Sequence, residues 1–215
     1  MKPSNVKKSL KTLILCRQPA FLWGAPGVGK SEVVKAVGKE MGLDISDIRA
    51  VLLDPVDLRG LPHVNGDGLS HWAIPSFLPR EGKGVLFLDE LNAAPPLVQA
   101  ACYQLVLDRK IGEYTLPDGW TVIAAGNRET DRAVTHRMPS PLANRFVHIS
   151  FEADIEDWTT WALDNGIETQ VIAFLRFRPE LLHKFEERTN EKAFPSPRAW
   201  AFVSKILQND PPEEV

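Results

Sequence analysis

A glycine-rich run of eight residues constrains the fold of this chain more than any other feature of its sequence. The run Gly24-Ala25-Pro26-Gly27-Val28-Gly29-Lys30-Ser31 has the pattern Gly-x-x-x-x-Gly-Lys-Ser. A short apolar run at 20–23 precedes it and predicts a strand, and residues 31–41 follow with apolar side chains at helical spacing and predict a helix. This strand–loop–helix setting is typical of an α/β fold whose loop binds phosphate.

The loop predicts a site for a nucleoside triphosphate. Its small residues let the backbone pass close to phosphate, so that the amides of Gly27, Val28 and Gly29 can point at phosphate oxygens. Lys30 is expected to reach the β- and γ-phosphates, and the Ser31 hydroxyl is expected to bind Mg²⁺. We therefore expect ATP and Mg²⁺ as the ligands. An ordinary glycine turn that caps a helix is the alternative.

Two adjacent carboxylates follow another predicted strand. Residues 84–88 form an apolar run, and Asp89 and Glu90 come directly after it. Ligands of open α/β sheets bind where the strands end, so Asp89 is expected to hold Mg²⁺, directly or through water. Glu90 is expected to orient or deprotonate the attacking water. The alternative is an acidic cap for the helix that starts near Pro95.

Asn127 and Arg198 are candidate sensors of the γ-phosphate. Asn127 follows the apolar run 121–125, and its amide could hydrogen-bond the γ-phosphate or the attacking water, unless it only makes the turn. Arg198 lies in the first turn of a helix opened by Ser196-Pro197, where a cation opposes the helix dipole unless an anion lies nearby. That misfit favours phosphate sensing over a solvated arginine.

Arg145 is a candidate for catalysis between subunits. It follows a short helix opened by Ser140-Pro141, and a guanidinium at a helix end could complete a neighbouring subunit's site as an arginine finger. A surface salt bridge is the alternative role. The preceding loop carries three rival candidates for the same role: Arg128, Arg132 and Arg137.

The order of apolar runs predicts an α/β core. Five runs predict a mostly parallel five-stranded sheet between two helix layers: 20–23, 50–53, 84–88, 121–125 and 147–151. Turn residues predict hairpins at 63–72 and 110–120. Four stretches then predict a small all-helical lid: 157–165, 169–177, a helix opened by Pro179, and 196–207. We expect the core to span residues 1–152 and the lid residues 153–215.

Charge and cysteine usage narrow the functional classes. The formal net charge of -3 argues against a broad electrostatic footprint for nucleic acid. Cys16 and Cys102 lack metal-ligand spacing and a secretory context, so two free thiols in a reducing compartment are expected. The first eleven residues carry lysines but no long apolar core, so neither a signal peptide nor a membrane span is predicted. A cytoplasmic location is therefore expected.

The motifs together resemble those of MoxR-type AAA+ ATPases, in the helix-2-insert branch of the AAA+ superfamily. The features that carry the resemblance follow one another over residues 10–207: the phosphate loop, the stretch 54–62, the pair Asp89-Glu90, Asn127, Asn144-Arg145-Phe146 and Ser196-Pro197-Arg198. Asn144 departs from the aspartate that the family commonly carries, but the arginine is retained.

The resemblance implies a role for each matching residue. Residues 24–31 correspond to the Walker A loop, residues 54–79 to the helix-2 insert, and residues 110–120 to the hairpin before sensor 1. In related proteins these two segments face the central pore of a hexameric ring. The Walker B pair, sensor 1, the arginine finger acting in trans and sensor 2 fall on Asp89 and Glu90, Asn127, Arg145 and Arg198, respectively.

The function implied is ATP hydrolysis by a subunit of a homo-oligomeric, hexameric ring that remodels or activates a protein client. Relatives often work with a von Willebrand factor A domain protein. A nucleic-acid motor or loader is an alternative, but the acidic balance and the lack of a local basic-aromatic tract weigh against it. A nucleotide-dependent binding switch with little turnover is another, and the retained Glu90, Asn127 and Arg145 weigh against that. Nothing indicates the acceptor pocket of a small-molecule kinase.

Overall fold

The computed structural model describes residues 1–66, 68–128, 136, 138–185 and 193–209. Its helices are α1 (Pro3–Leu15), α2 (Lys30–Met41), α3 (Pro55–Arg59), α4 (Pro96–Asp108), α5 (Ser140–Ala143), α6 (Ile155–Asp164), α7 (Thr169–Phe177) and α8 (Pro197–Leu207). Its strands are β1 (Ala20–Trp23), β2 (Asp44–Arg49), β3 (Leu61–Val64), β4 (Ser70–Ala73), β5 (Lys83–Asp89), β6 (Lys110–Ile111), β7 (Tyr114–Thr115), β8 (Gly119–Gly126) and β9 (Val147–Ser150).

A five-stranded sheet in the order β2-β5-β8-β1-β9 forms the centre of the α/β part. Every neighbouring pair is parallel, so the carboxyl ends of all five strands meet at one edge. The central strands are apolar on both faces because helices cover both, and the alternation of side chains divides their residues between two buried clusters. The three-layer α/β fold expected from the sequence is confirmed.

Each face of the sheet packs against its own helices. On one face α1 and α2 bury residues such as Leu10 and Val34 against Leu22 and Phe87 of the sheet. On the other face α4 buries Cys102 and its neighbours with residues of α3 and α5. Burial raises the pKa of the Cys102 thiol to about 12, so the thiol stays protonated. Cys16 is exposed, and both cysteines are free, as expected.

Two of the predicted elements are wrong. The apolar run at 50–53 forms a 3₁₀ turn (Ala50–Leu52), and the second strand is the more polar β2 just before it. β2 lies at the edge of the sheet and, among the described strands, pairs with β5 alone, so it needs few apolar residues. The helix expected from Pro179 is a single 3₁₀ turn ending at Leu181, whose carbonyl accepts a hydrogen bond from the Trp200 indole instead of continuing a helix.

Two antiparallel hairpins lie outside the main sheet. β3 pairs with β4, as the turn residues at 63–72 predict, and β6 pairs with β7. The second hairpin is shorter than expected, because residues 119 and 120 already belong to β8. The two hairpins touch where the Trp72 amide donates to Glu113 Oε2 at 3.3 Å.

The C-terminal helices α6, α7 and α8 form a small cluster of their own. Trp158, Ala162 and Leu175 are buried within it. Ser196 caps α8 by accepting a hydrogen bond from the Ala199 amide, as the Ser-Pro pair indicates. No helix in the described ranges is both long and apolar enough to span a membrane.

Candidate nucleotide site

The glycine-rich loop joins the end of β1 to the first turn of α2. Gly27 and Gly29 have φ angles of 74° and 103°, a left-handed conformation that only glycine adopts without strain. Gly29 is also the residue before the first turn of α2, whose backbone N–H groups have no partner within the helix. The loop and the helix end therefore form a concave set of donors suited to phosphate.

Lys30 connects this loop to the neighbouring strand. Its ammonium group donates to the carbonyls of Gly24 and Ala25, at 2.6 and 3.1 Å. It also donates to Asn127 Oδ1 at 2.9 Å, and Asn127 directly follows β8. Two of the residues singled out in the sequence, 97 positions apart, thus meet at the carboxyl edge of the sheet.

Ser31 and Asp89 meet at the same edge. The Ser31 hydroxyl donates to Asp89 Oδ2 at 2.7 Å, while Asp89 Oδ1 accepts from the Glu90 amide at 3.0 Å. One hydroxyl and one carboxylate are the kind of protein ligands that Mg²⁺ uses when phosphates and water complete its octahedron. Among the described residues, no group of three or more His, Cys, Asp or Glu could hold a metal ion.

Glu90 lies beyond Asp89 in an uncommon backbone conformation. Its φ of 55° falls in the left-handed region, which costs energy for a residue with a side chain and is concentrated at functional sites. Its carboxylate is exposed, and in the described part of the chain it makes no hydrogen bond or ion pair. The carboxylate is therefore accessible to solvent, and its role in activating water stays a prediction.

Asn92 is a site residue that the sequence did not reveal. It is 2% exposed, and its Nδ2 donates to the Asn127 carbonyl at 2.7 Å. The Asn92 Oδ1 would lie only 2.1 Å from a Cβ at position 126, so Asn92 can occupy this place only beside a glycine. The only signal in the sequence is an asparagine two residues after Glu90, and its burial could not be known.

Arg145 lies far from the loop. It sits between α5 and β9, and β9 begins beside the start of β1, because Val147 pairs with Ala20. Arg145 is therefore at the edge where the strands begin, opposite to the glycine-rich loop. Its guanidinium is exposed and makes no hydrogen bond or ion pair within the described residues.

Of the three rival arginines, one lies within the described residues. Arg128 follows Asn127 at the carboxyl edge and forms an ion pair with Glu152 at 3.5 Å. Arg132 and Arg137 lie outside the described residues.

The start of α8 packs directly on the glycine-rich loop. Ser196 is 5% exposed, and its Oγ would lie 2.9 Å from a Cβ on Gly27. His183 Nε2 lies 3.2 Å from the Pro26 carbonyl, a second contact between the C-terminal helices and the loop. Arg198, in the first turn of α8, is exposed two residues from this contact. Neither docking contact is predictable from local sequence patterns, because Ser196 and His183 are far from the loop along the chain.

A protein-family model matches most of this α/β part. The model for the ATPase family associated with various cellular activities (AAA) matches residues 20–152, from β1 through the segment after β9. The match includes the glycine-rich loop, the Asp89-Glu90 pair, Asn127 and Arg145.

Individual relatives give a more distant likeness. The MoxR protein of Paracoccus denitrificans is 27% identical over 139 residues, covering 62% of this chain and 40% of that protein. Midasin of Giardia intestinalis is 28% identical over 194 residues, covering 80% of this chain and 4% of that protein. A solved variant of RuvB from Thermotoga maritima superposes with a TM-score of 0.60 at 19% identity, over 96% of this chain and 62% of that one. The chain thus spans less than half the length of either relative.

Proposed function

The chain belongs to the AAA family of ATPases, and from that premise we propose that it binds and hydrolyses ATP within a ring that remodels a protein partner. The observation that carries the proposal is the meeting of four side chains at one edge of the sheet. Lys30 contacts Asn127 at 2.9 Å, and Ser31 contacts Asp89 at 2.7 Å. Residues from three separate elements thereby surround the mouth of the glycine-rich loop.

Each of these residues has a distinct role in the proposed site. Lys30 and the amides at the start of α2 neutralise and orient the phosphates, and Ser31 and Asp89 hold Mg²⁺. Mg²⁺, when bound, would neutralise charge on the β- and γ-phosphates. Glu90 accepts a proton from the attacking water or orients it, and Asn127 hydrogen-bonds that water or the γ-phosphate. Arg198 senses the γ-phosphate from the start of α8.

In this proposal a second subunit supplies the arginine that completes the nucleotide site. Arg145 lies before β9, and four strand residues at about 3.3 Å each separate the start of β1 from the glycine-rich loop, roughly 13 Å in all. That separation supports a role for Arg145 in the site of a neighbouring subunit. A surface that gives an arginine on one side and receives one on the other forms a closed ring when the rotation between subunits closes, and the ring proposed here is a hexamer.

The proposed client is a protein, as in the MoxR-type remodelling factors that the sequence resembles. Residues 1–152 would act as the hydrolytic core and residues 153–215 as a lid that follows the nucleotide state. The hairpins β3–β4 and β6–β7 would face the pore and contact the client. A von Willebrand factor A domain protein is the proposed working partner.

Phosphate release measured over a range of protein concentrations tests the ring. Specific activity is expected to rise with concentration as subunits assemble. Arg145→Ala should lower it by about 10³-fold, the scale of an arginine finger, while nucleotide binding persists. Arg176→Ala removes an exposed arginine from α7 and serves as the control. Full activity of a monomeric preparation, or of Arg145→Ala, would contradict the proposal.

The client is best sought with a variant that binds ATP without turning it over. Glu90→Gln keeps the size of the side chain and removes the carboxylate that acts on water. Its assembled form should retain ATP and hold the client, so that the client co-purifies with Glu90→Gln and not with Lys30→Ala, which lacks the phosphate contact. Recovery of nucleic acid instead of protein, with binding that weakens steeply with salt, would favour a nucleic-acid motor.

A further inference from the structure

Four aromatic side chains join β1 to the outer strand β9. Phe21 and Trp23 lie on one face of β1, with ring centroids 4.2 Å apart. The ring of His148, on β9, stacks on Trp23 at 5.9 Å with an angle of 21° between the planes. Phe146, just before β9, meets the edge of Phe21 at 5.5 Å. This group extends from the segment that follows Arg145 to the last residue before the glycine-rich loop.

His148 makes a hydrogen bond with each of its ring nitrogens. Trp23 Nε1 can only donate, so at 2.7 Å His148 Nδ1 must be the acceptor. The neutral imidazole then carries its proton on Nε2, which lies 2.8 Å from the Ala143 carbonyl and donates to it. The two partners therefore select one tautomer and fix the plane of the ring.

The Ala143 carbonyl is the last one of α5, two residues before Arg145. A helix of four residues is too short to be stable alone, so neighbouring contacts must hold it. Leu142 and Phe146 anchor the segment in the core, and the Phe146 amide also donates to the Ala143 carbonyl, at 3.2 Å. His148 adds the only polar side-chain bond to this turn that the described residues provide.

We propose that His148 is a positioning residue for Arg145. It holds the end of α5 against β1, so that the arginine leaves the protein in the direction needed by the neighbouring subunit. Trp23 holds the ring of His148 in turn, which connects the strand leading to one nucleotide site with the arginine offered to the next. The inference rests on the proposed function, because it assigns His148 an effect on the partner's site and none on its own.

A matched pair of variants tests the hydrogen bond to Ala143. His148→Ala should lower phosphate release by about 10- to 100-fold, the scale on which small misplacements of catalytic groups act. His148→Gln should recover most of this loss, because its amide nitrogen reaches the position of Nε2. His148→Asn has the same chemistry with one methylene less and should not. Val147→Ala shortens the neighbouring exposed residue of β9 and serves as the control for the strand.

Mixed rings test whether His148 acts on the neighbour. Glu90→Gln subunits cannot hydrolyse ATP but offer an intact Arg145, while His148→Ala subunits keep an intact site. An equimolar mixture should regain about a quarter of wild-type activity, since that is the share of interfaces that combine an intact site with an intact arginine. Arg145→Ala mixed with Glu90→Gln is the reference, and it should regain the same share.

Each outcome separates this inference from the proposed function. Recovery in both mixtures supports both. If the Arg145→Ala mixture recovers and the His148→Ala mixture does not, His148 acts within its own subunit and the inference is wrong. If the Arg145→Ala mixture fails to recover, the arginine does not act between subunits, and the proposed function fails together with the inference. Wild-type activity of His148→Ala alone would also overturn the inference.

Discussion

At the scale of single residues, the buried side chain of Asn92 requires a glycine at position 126. The buried amide of Asn92 fixes the backbone of Asn127 and so sets where the Asn127 side chain meets Lys30. Its Oδ1 occupies the space that any side chain at 126 would need, and none of the described residues gives that oxygen a hydrogen bond. A buried acceptor without a partner costs free energy, so this contact is maintained against a penalty.

Gly126→Ala is expected to destabilise the protein by about 1–3 kcal/mol, because the new methyl group meets Asn92 Oδ1 at 2.1 Å. Urea unfolding measures this cost, and phosphate release should fall with it as Asn127 shifts. In an Asn92→Ala background part of the cost should disappear, and a remainder should persist because Phe21 Cζ would still lie 2.9 Å from the added methyl group.

Gly66→Ala supplies the matched control for this substitution. No described atom lies within 4 Å of its added methyl group, so a change within about 0.5 kcal/mol is expected. Equal costs at positions 66 and 126, or an unchanged cost beside Asn92→Ala, would show that Asn92 does not govern position 126.

The sequence predicted this site better than its surroundings. The glycine-rich loop, the acidic pair and Asn127 were found because local residue patterns and strand ends identify them. Asn92 was not found, since an asparagine in a short turn is usually exposed and only the tertiary fold reveals that it is buried. The docking of Ser196 on Gly27 joins residues 169 positions apart, which no local pattern can indicate.

At the scale of elements, α1 is a helix that was not predicted, although its buried residues carry a helical pattern. Val6, Leu10 and Ile14 recur at four-residue spacing and are all buried, so the sequence did contain a helical signal. The lysines between these residues mask the signal, because they make the segment polar as a whole. β2 was missed for another reason. It is a polar edge strand, so the apolar pattern indicates the neighbouring residues 50–53 instead.

Glu40 ties α1 to α2 and gives this pair of helices a dependence on pH. Hydrogen bonds from Lys11, at 2.7 Å, and Lys7, at 3.1 Å, hold the pKa of the Glu40 carboxyl below its ordinary value. The folded state therefore binds this proton less tightly than the unfolded state. The stabilisation is present above about pH 4.5, the ordinary value, and is lost as the pH falls through the lower folded pKa.

Glu40→Gln should lower the free energy of unfolding at pH 7 by no more than about 1 kcal/mol, since the side chains are partly exposed and screened by solvent. The difference from wild type should shrink below pH 4.5 and in high salt. Thermal unfolding from pH 7 to pH 3 measures it, with Glu81→Gln as the control, an exposed residue whose carboxylate makes no hydrogen bond or ion pair in the described part of the chain. A difference that stays constant over this range would exclude the ion pairs as its cause.

At the scale of the whole molecule, residues from two structural units contact one another at the glycine-rich loop. The loop belongs to the α/β part, while Ser196 and His183 reach it from the C-terminal helices. A ligand at the loop can therefore change how firmly α8 is held, because the first turn of α8 lies against Gly27. This contact offers a route from nucleotide state to the orientation of the proposed lid.

Mg²⁺ and ATP at about 100 times the dissociation constant should raise the melting temperature of Glu90→Gln by roughly 5–10 °C. Hydrogen exchange should slow in α2 and also in α8, while α1 changes only through global stability. Arg198→Ala should remove the added protection of α8 and leave that of α2 largely intact. Exchange in α8 that does not respond to nucleotide would show that the two units are not coupled.

The opposite positions of Arg145 and the glycine-rich loop have a consequence for inheritance. If each subunit both gives an arginine and receives one, a cell with one normal and one defective allele builds mixed rings. A subunit changed at Arg145 then impairs its neighbour's turnover, while a subunit changed at Glu90 impairs its own. Counted by interfaces, either change expressed beside the normal chain should leave about half of the turnover, and the two altered alleles in one cell should regain about a quarter of it. A gene duplication would be retained by the same logic: one copy could lose its own catalysis and persist as a donor of arginine to the other.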